Sequence, residues 1–280
     1  MAKPTGQTYL DGEEDMRATL LKTTFYVLLL AGSALHPVAA QSQKLVLGNE
    51  GTYPPFSILG TDGSLSGLEP ELARAMCERM AAECEIKAMD FSALLPSLLA
   101  DKIDVVATQL NPIPERLEKT EFSRPILMNP EGFVVSKDWS GGYDNAAFKG
   151  KKIAVQKGSS HARYVEDKLP DAIPTYYENP DQIKLDLLAG RVDAVFGPKI
   201  NYTIHLLDTP DGKNFKISEQ DFWTVAENVG MSWAVRKGEM ELIGKINTAL
   251  DSLIQDCSYS KIRKKYVSAA LLPEEPANCL

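Results

Sequence analysis

The segments "LLADKIDVVAT" (residues 98–108) and "LLAGRVDAVFG" (residues 187–197) decide the fold, because the second half of the chain repeats a pattern of the first. Each segment begins with the end of a helical pattern, turns at a short polar stretch and continues into an apolar run. A helix that leads into a buried strand is typical of βαβ units, whose crossovers are right-handed. The repetition therefore predicts two α/β lobes of like design.

The chain around the first segment alternates between strand and helix patterns. Strands are predicted at "KLVLGNE" (44–50), "CEIKAMD" (84–90) and "IDVVATQL" (103–110). Helices are predicted between them, at "EPELARAMCERMAA" (69–82) and "SALLPSLLADK" (92–102). The first of these helices has Pro70 in its first turn, where proline is tolerated. This βαβαβ order predicts a parallel sheet.

The same order starts again in the second half of the chain. A strand, a glycine-containing turn and a helix are predicted in "KKIAVQKGSSHARYVEDKL" (151–169), followed by the strand "IPTYYE" (173–178). The helix "PDQIKLDLLAGR" (180–191) then leads into the strand "VDAVFGP" (192–198). The segment at residues 238–267 is helical in pattern, with one apolar face and a break near Cys257. We expect it to pack back on a lobe.

These patterns predict how the chain is divided between the two lobes. Residues 41–130 and 231–280 are expected to form the first lobe, and residues 131–230 an inserted second lobe. The crossings are expected at "LMNPEGFVV" (127–135) and "ENVGMSWAV" (227–235). Hinge bending is predicted at these crossings, near residues 128–133 and 229–232. The predicted class is therefore α/β, with a mostly parallel sheet flanked by helices in each lobe.

Composition and the N-terminal segment predict an exported protein. The chain has 280 residues and is 44% hydrophobic, which is enough for one large core or two moderate ones. Its formal net charge of -8 argues against nucleic acid or an anionic membrane as a partner. Residues 1–40 resemble a signal peptide, with Arg17 and Lys22 before the apolar run and "VAA" at its end. Met16 is an alternative start, and a buried amphipathic helix is the competing interpretation.

Four cysteines suit an oxidising compartment and allow three disulfide pairings. Cys77 and Cys84 can pair only if the helix ends between them, because a continuous helix separates them too far for a disulfide. Cys257 and Cys279 would then tie down the C-terminal tail. This pairing is favoured because both of its disulfides join cysteines that are close to each other in the sequence. A zinc site is the competing idea, and its usual ligand spacing is missing.

Polar and aromatic residues and a glycine turn collect at the predicted carboxyl ends of the strands, where open α/β sheets bind their ligands. They are Glu50, Tyr53, Phe91, Thr108, Gln109, Asn111 and Arg116 in the first lobe and Gly158, Ser159 and Ser160 in the second. A guanidinium binds a carboxylate through two parallel hydrogen bonds, and a helix N-terminus also favours an anion. The sequence therefore predicts a cleft that holds a small charged molecule.

Each of these features also has an ordinary structural explanation. Arg116 could pair with a nearby surface glutamate, "GSS" (158–160) could be a plain helix cap, and the aromatic residues could belong to the core. Sequence patterns for a nucleophile elbow, a P-loop or a zinc protease are missing, and we expect no cofactor and no metal. Composition and spacing alone support a two-lobed binding protein.

Several linked motifs resemble the polar amino-acid-binding proteins of ABC transporters, above all the binders of lysine, arginine and ornithine, of histidine, and of opines. The motifs are "GTYPPF" (51–56), "SGLEPELARAMCERM" (66–80), "DFSALLPSLLADKIDVV" (90–106), "PERLEKTEFSRP" (114–125), "GKKIAVQKGSS" (150–160) and "LLAGRVDAVF" (187–196). The resemblance covers residues 43–268. It implies a two-lobed periplasmic-binding-protein type II fold, an amino acid or derivative as ligand, an inner-membrane ABC permease as partner, and a monomer.

The resemblance also implies roles for individual residues. Arg116 and Ser160 match the positions that bind the ligand α-carboxylate, and Thr108, Gln109 and Asn111 match those around the α-carbon. The aromatic rings at positions 53 and 91 match those flanking the ligand side chain, and Glu50 matches an acid that faces a cationic terminus. A disulfide in these relatives occupies the position of "CERMAAEC" (77–84).

One position departs from the family. The aspartate that accepts the ligand α-ammonium falls at Pro198, whose side chain cannot accept a hydrogen bond. An unmet buried charge is costly, so the loss of this aspartate favours a ligand whose α-nitrogen is substituted. Together with Glu50, the expected ligand is a cationic amino acid or an N-substituted, opine-like derivative. The competing interpretations are an enzyme similar to cyclohexadienyl dehydratase, with Glu50 or His161 as acid or base, and a sensor ectodomain. We expect a binding protein and not an enzyme.

Overall fold

The computed structural model describes residues 43–225 and 229–280. The predicted signal peptide at residues 1–40 lies outside the described residues, as does part of the predicted crossing at 227–235. Within the described residues the strands form two five-stranded sheets and a small three-stranded one. None of the described helices is long and apolar enough to cross a membrane.

The predicted strands and helices appear in the predicted order, together with further short strands that the sequence analysis did not predict. The strands are β1 (Lys44–Asn49), β2 (Thr52–Tyr53), β3 (Ser57–Leu59), β4 (Leu65–Ser66), β5 (Glu83–Ala88), β6 (Val105–Leu110), β7 (Thr120–Phe122), β8 (Glu131–Ser136), β9 (Lys152–Gln156), β10 (Ile173–Tyr177), β11 (Ala194–Pro198), β12 (Phe215–Ile217) and β13 (Ser232–Arg236). The helices are α1 (Leu68–Arg79), α2 (Phe91–Leu99), α3 (Pro114–Leu117), α4 (Ser160–Lys168), α5 (Pro180–Leu188), α6 (Lys199–Tyr202), α7 (Met240–Gln255) and α8 (Ser258–Arg263). Short π and 3-10 turns lie at Thr203–Leu207, Pro210–Asn214 and Ala277–Cys279.

The first large sheet has the strand order β5-β1-β6-β13-β7. β1 runs parallel to β5 and β6, as the βαβαβ pattern predicts, whereas β13 returns antiparallel between β6 and β7. Helix α7 contributes the buried residues Ile246, Leu250 and Leu253 to the core of this lobe, where Trp233 of β13 is also buried. The C-terminal segment therefore packs on the first lobe, as predicted.

Both disulfide pairs have the predicted partners. Cys77 and Cys84 are joined with 6.2 Å between their Cα atoms. This is possible because α1 ends at Arg79 and the turn that follows places Ala81 at a positive φ of 51°. Cys257 joins Cys279, and it also breaks the C-terminal helix by adopting a left-handed φ of 65°.

The second large sheet has the order β10-β9-β11-β8-β12. β9 lies parallel to β10 and β11, and β8 lies antiparallel to β11 and β12. Phe133, Phe148 and Phe196 form the centre of its core and are fully buried. At the end of the β8–β11 pair, Glu131 lies directly opposite Pro198.

The strand order confirms the predicted α/β class with two lobes. Every strand of the second large sheet lies between residues 131 and 217, whereas the first large sheet takes strands from both sides of that range. The chain therefore passes between the sheets twice, after β7 and before β13. The lobe boundaries at residues 130/131 and 230/231 and the hinges there remain predictions.

Candidate functional site

A cavity lies between the two sheets, and eight of the ten residues that the sequence assigned to the ligand site line it. These are Glu50, Tyr53, Phe91, Gln109, Asn111, Arg116, Ser160 and Pro198. Its free volume is about 10 Å³, which is room for about one water molecule. The walls are close together because side chains of the two lobes hydrogen-bond across it. The cavity is therefore a closed cleft.

Thr108 and Gly158 do not line this cavity. Side chains alternate faces along a strand, so Thr108 points away from the cleft while its neighbour Gln109 points into it. The Thr108 hydroxyl donates instead to Glu69 Oε2 at 2.8 Å. Gly158 reaches the site only through its carbonyl oxygen, which accepts from Arg116 Nη2 at 2.9 Å.

Arg116 is a buried guanidinium at the floor of the cleft. It is 5% exposed, and Phe91 lies under it with 5.7 Å between the ring centre and Cζ. Its Nη1 donates to Asn111 O at 2.8 Å, and its Nη2 bonds to the second lobe through Gly158. Burial lowers the pKa of Arg116 to about 10, so the group is still charged at neutral pH. Among the described residues, no carboxylate lies within 4.0 Å of it.

A second polar cluster joins Asn111 of the first lobe to the second lobe. Asn111 Nδ2 lies 3.0 Å from Glu131 Oε1 and 2.8 Å from each of Ser160 Oγ and Thr224 Oγ1. Thr224 Oγ1 lies in turn 3.1 Å from Glu131 Oε1 and 2.9 Å from Ser160 Oγ. His161 Nε2 is 3.5 Å from the same carboxylate oxygen. Five polar side chains thus meet at one point of the cleft.

Glu131 stands directly behind the cavity wall. It is 1% exposed, and its Oε2 has no hydrogen-bond partner among the described residues. Glu131 was not predicted as a site residue, because "NPEGFVV" (129–135) gives no local sign that its acid points towards the cleft. Only the pairing of β8 with β11, which sets Glu131 opposite Pro198, places it there.

Glu50 is a buried acid that lines the cavity. It is 5% exposed and accepts hydrogen bonds from Gln156 Nε2 across the cleft and from Thr52 Oγ1 at 3.2 Å. Burial raises the pKa of Glu50 to about 8, and the nearby Glu69 and Asp90 add to the effect. A buried carboxyl of this kind ionises readily only beside a cation.

Glu69 lies deeper, in α1, and supports the floor of the first lobe. Its Oε2 accepts from Thr108 and, at 3.2 Å, from Asn49 Nδ2. Burial raises the pKa of Glu69 to about 7 against the effect of these hydrogen bonds.

Tyr53, in the wall of the cavity, stays neutral. Burial, and after it the nearby Tyr202, raise the pKa of the Tyr53 phenol well above its ordinary value.

Four further residues line the cavity: Gln156, Ser159, His161 and Met231. Of these, Ser159 and His161 were considered from the sequence, whereas no role was predicted for Gln156 or Met231. Ser159 is the N-cap of α4 and accepts from Ala162 N at 3.1 Å, so part of "GSS" is the plain helix cap considered above. Gln156 ends β9 just before that cap, a position that the strand-end rule could have found. Among the described residues no cluster of acidic, histidine or cysteine side chains could hold a metal ion.

The two lobes and the charged cleft between them define a binding protein of the periplasmic type II class. The sequence profile of the bacterial extracellular solute-binding proteins, family 3, matches residues 45–269. The chain belongs to that family, which confirms the resemblance stated above.

Individual relatives of the chain are amino acid-binding proteins. The chain is 33% identical over 239 residues to the L-arginine-binding protein of Pseudomonas aeruginosa, covering 83% of this chain and 91% of that protein. A solved ancestral arginine-binding protein bound to arginine is 31% identical, with a TM-score of 0.72 over 80% of this chain and 97% of the other. An ancestral amino acid-binding protein described as a precursor of cyclohexadienyl dehydratase shares the fold at a TM-score of 0.69 and 23% identity, over 80% and 94% of the chains.

Proposed function

We propose that the protein is the periplasmic binding component of an ABC importer and takes a cationic amino acid or an N-substituted derivative of one into its cleft. The observation that carries the proposal is the charge pattern of the closed cleft. A buried guanidinium at one point and buried carboxylates from both lobes at others match a ligand with one anionic and two cationic groups.

Arg116 is proposed to bind the ligand α-carboxylate. Its guanidinium donates to two backbone carbonyls, which are weaker partners than a carboxylate. A buried cation without an anion is unfavourable, so a ligand carboxylate would satisfy a group that the protein alone leaves uncompensated. Ser160, at the start of α4, adds a hydroxyl and a helix N-terminus from the second lobe.

Glu50 is proposed to bind the cationic end of the ligand side chain. The raised pKa means that this carboxyl gains the most from a partner with a permanent positive charge. Tyr53 and Phe91 line the same cavity as Glu50 and Arg116 and are proposed to flank the aliphatic part of the ligand. Gln156, which donates to Glu50 from the second lobe, would be displaced or would share the carboxylate.

Entry of such a ligand requires the lobes to separate, since a free volume of about 10 Å³ cannot hold an amino acid. We propose hinge bending near residues 128–133 and 229–232, where the chain passes between the sheets. Small-angle scattering should show a smaller radius of gyration at ligand saturation. An unchanged profile would contradict the hinge.

The assignment is tested first with a thermal-shift panel of arginine, lysine, ornithine and histidine, beside octopine- and nopaline-like conjugates and neutral and acidic amino acids. A ligand that binds the folded state raises Tm by mass action. The proposal predicts shifts for the cationic compounds, followed by calorimetry to measure Kd. Best binding by neutral or acidic amino acids would contradict it. The cognate permease, export and a monomeric state are part of the same proposal.

A cyclohexadienyl-dehydratase-like activity is the second candidate. A general acid or base with a pKa near neutrality is needed for such chemistry, and Glu50 has one. The relatives named above are binding proteins, which favours binding without turnover. Product formation from a cyclohexadienyl substrate that is lost in Glu50→Gln would establish the enzyme instead.

A further inference from the structure

Three oxygen acceptors of the second lobe converge on one nitrogen of the first. Asn111 Nδ2 lies within 2.8 to 3.0 Å of Glu131 Oε1, Ser160 Oγ and Thr224 Oγ1. We call these three oxygens the acceptor cage. A side-chain amide nitrogen carries two hydrogens and can serve only two of the three acceptors. A primary ammonium carries three hydrogens and could serve all of them.

The charge of the acceptor cage also suits an ammonium better than an amide. Glu131 is 1% exposed, and its second oxygen has no hydrogen-bond partner within the described residues. The basic side chain beside it is His161, whose Nε2 lies 3.5 Å from Oε1 and also lacks a hydrogen bond among the described residues. Buried carboxylates are costly unless a cation or several donors satisfy them.

The acceptor cage lies next to the carboxylate site. Arg116 Nη1 donates to the backbone oxygen of Asn111, the same residue whose side chain fills the cage. Arg116 Nη2 bonds to Gly158 O, two positions before Ser160 of the cage. One atom, the α-carbon, joins the ammonium and the carboxylate of an amino acid, so their two sites must be adjacent.

We propose that the acceptor cage of Glu131, Ser160 and Thr224 binds the α-ammonium of the ligand, with the Asn111 amide leaving when the ligand enters. The proposal rests on the proposed function and deepens it, because it defines the ligand as an amino acid with a free primary α-ammonium. Glu131 then supplies from β8 the acid that Pro198 cannot supply from β11. Directly opposite residues of an antiparallel pair have neighbouring side chains on one face, so an acid on β8 can take the place of an acid on β11.

A substituted α-nitrogen fits this cage poorly. A secondary ammonium has two hydrogens and would leave one acceptor unserved, and its substituent would enter a wall where Glu131 and Ser160 are 1% and 3% exposed. The cage therefore favours the plain cationic amino acid over the opine-like derivative that Pro198 alone suggested.

The test is calorimetry on the intact protein with L-arginine, Nα-acetyl-L-arginine and octopine as probes. The wild type should bind arginine far better than either derivative. Glu131→Gln should weaken arginine binding by about 30-fold or more, the cost of truncating a buried charge pair. The same variant should change the binding of Nα-acetyl-L-arginine little, because that probe has no ammonium. Glu219→Gln, an exposed acid of the same lobe, is the matched control.

A relocation variant separates a binding role from a structural one. Adding Pro198→Asp to Glu131→Gln moves the carboxylate to the opposite strand of the same pair and should recover at least tenfold in arginine affinity. If Glu131→Gln does not fold, Thr224→Val tests the cage by removing an acceptor, and it should selectively weaken arginine. Wild-type arginine affinity in the folded Glu131 or Thr224 variant would overturn the cage alone. Failure of the wild type to bind any free amino acid would overturn the proposed function, and the cage with it.

Discussion

Replacing Arg116 by alanine should remove the anchor for the ligand carboxylate while leaving the fold intact. The side chain is 5% exposed and makes its polar contacts to the carbonyls of Asn111 and Gly158. Those carbonyls lie at the cleft, where water can replace the guanidinium once the lobes open. We therefore expect the variant to fold, and its circular dichroism and ligand-free Tm should confirm this.

The size of the expected effect comes from the burial of the charge. With a pKa of about 10, the guanidinium is charged in nearly every molecule at pH 7. Truncating one member of a buried, hydrogen-bonded charge pair costs roughly 2 to 5 kcal/mol of binding free energy. This corresponds to a rise in Kd of about 30-fold to 5,000-fold. Arg116→Lys keeps the charge but loses the two parallel donors, so an intermediate loss is expected.

Calorimetry with arginine and L-argininamide tests the contact between Arg116 and the ligand carboxylate directly. Argininamide lacks the carboxylate, so Arg116→Ala should change its weak binding little. The difference between the losses of affinity for the two ligands measures the contact between guanidinium and carboxylate. Arg191→Ala, an exposed arginine paired with Asp186 in the second lobe, is the matched control. Wild-type affinity for arginine in Arg116→Ala, or equal losses for both ligands, would refute the assignment.

Three further predictions concern pH and stability. The folded pKa of Glu50, about 8, lies above the ordinary 4.5, so the ligand-free free energy of unfolding should fall as pH rises through that window. Urea denaturation at pH 5.5 and 7.5 should show a smaller fall in the free energy of unfolding for Glu50→Gln than for the wild type. Reducing the disulfides should lower Tm without abolishing the fold, since the loop-entropy model gives about 3 kcal/mol for the 22-residue separation of Cys257 and Cys279; an unchanged Tm would contradict it. Arg263 and Glu275 form a buried ion pair at 2.8 Å, so Glu275→Gln alone should cost about 3 to 5 kcal/mol, whereas a joint Arg263→Met and Glu275→Leu exchange should cost less.

The sequence by itself determined the parallel strands, the helices that connect them and most of the candidate cleft residues. Local periodicity predicted the parallel strands of both lobes and the helices that connect them, because a 3.6-residue or two-residue apolar repeat depends only on neighbours in the chain. It did not predict the strands β7, β8, β12 and β13. The break at Cys257 and the end of α1 before Cys84 followed from the same local chemistry. The carboxyl-end rule then brought Glu50, Asn111 and Arg116 to one cleft without any coordinates.

Only the tertiary structure decided which side chains face each other across that cleft. Thr108 turned to Glu69 because a strand alternates its faces, and the phase of that alternation depends on how β6 packs on α1. Gln156 meets Glu50, and Glu131 meets Asn111, because the two lobes face each other across the cleft, which no local pattern around these residues records. The register of β8 against β11 set Glu131 opposite Pro198, and such pairing joins residues too distant in sequence for any local pattern to record.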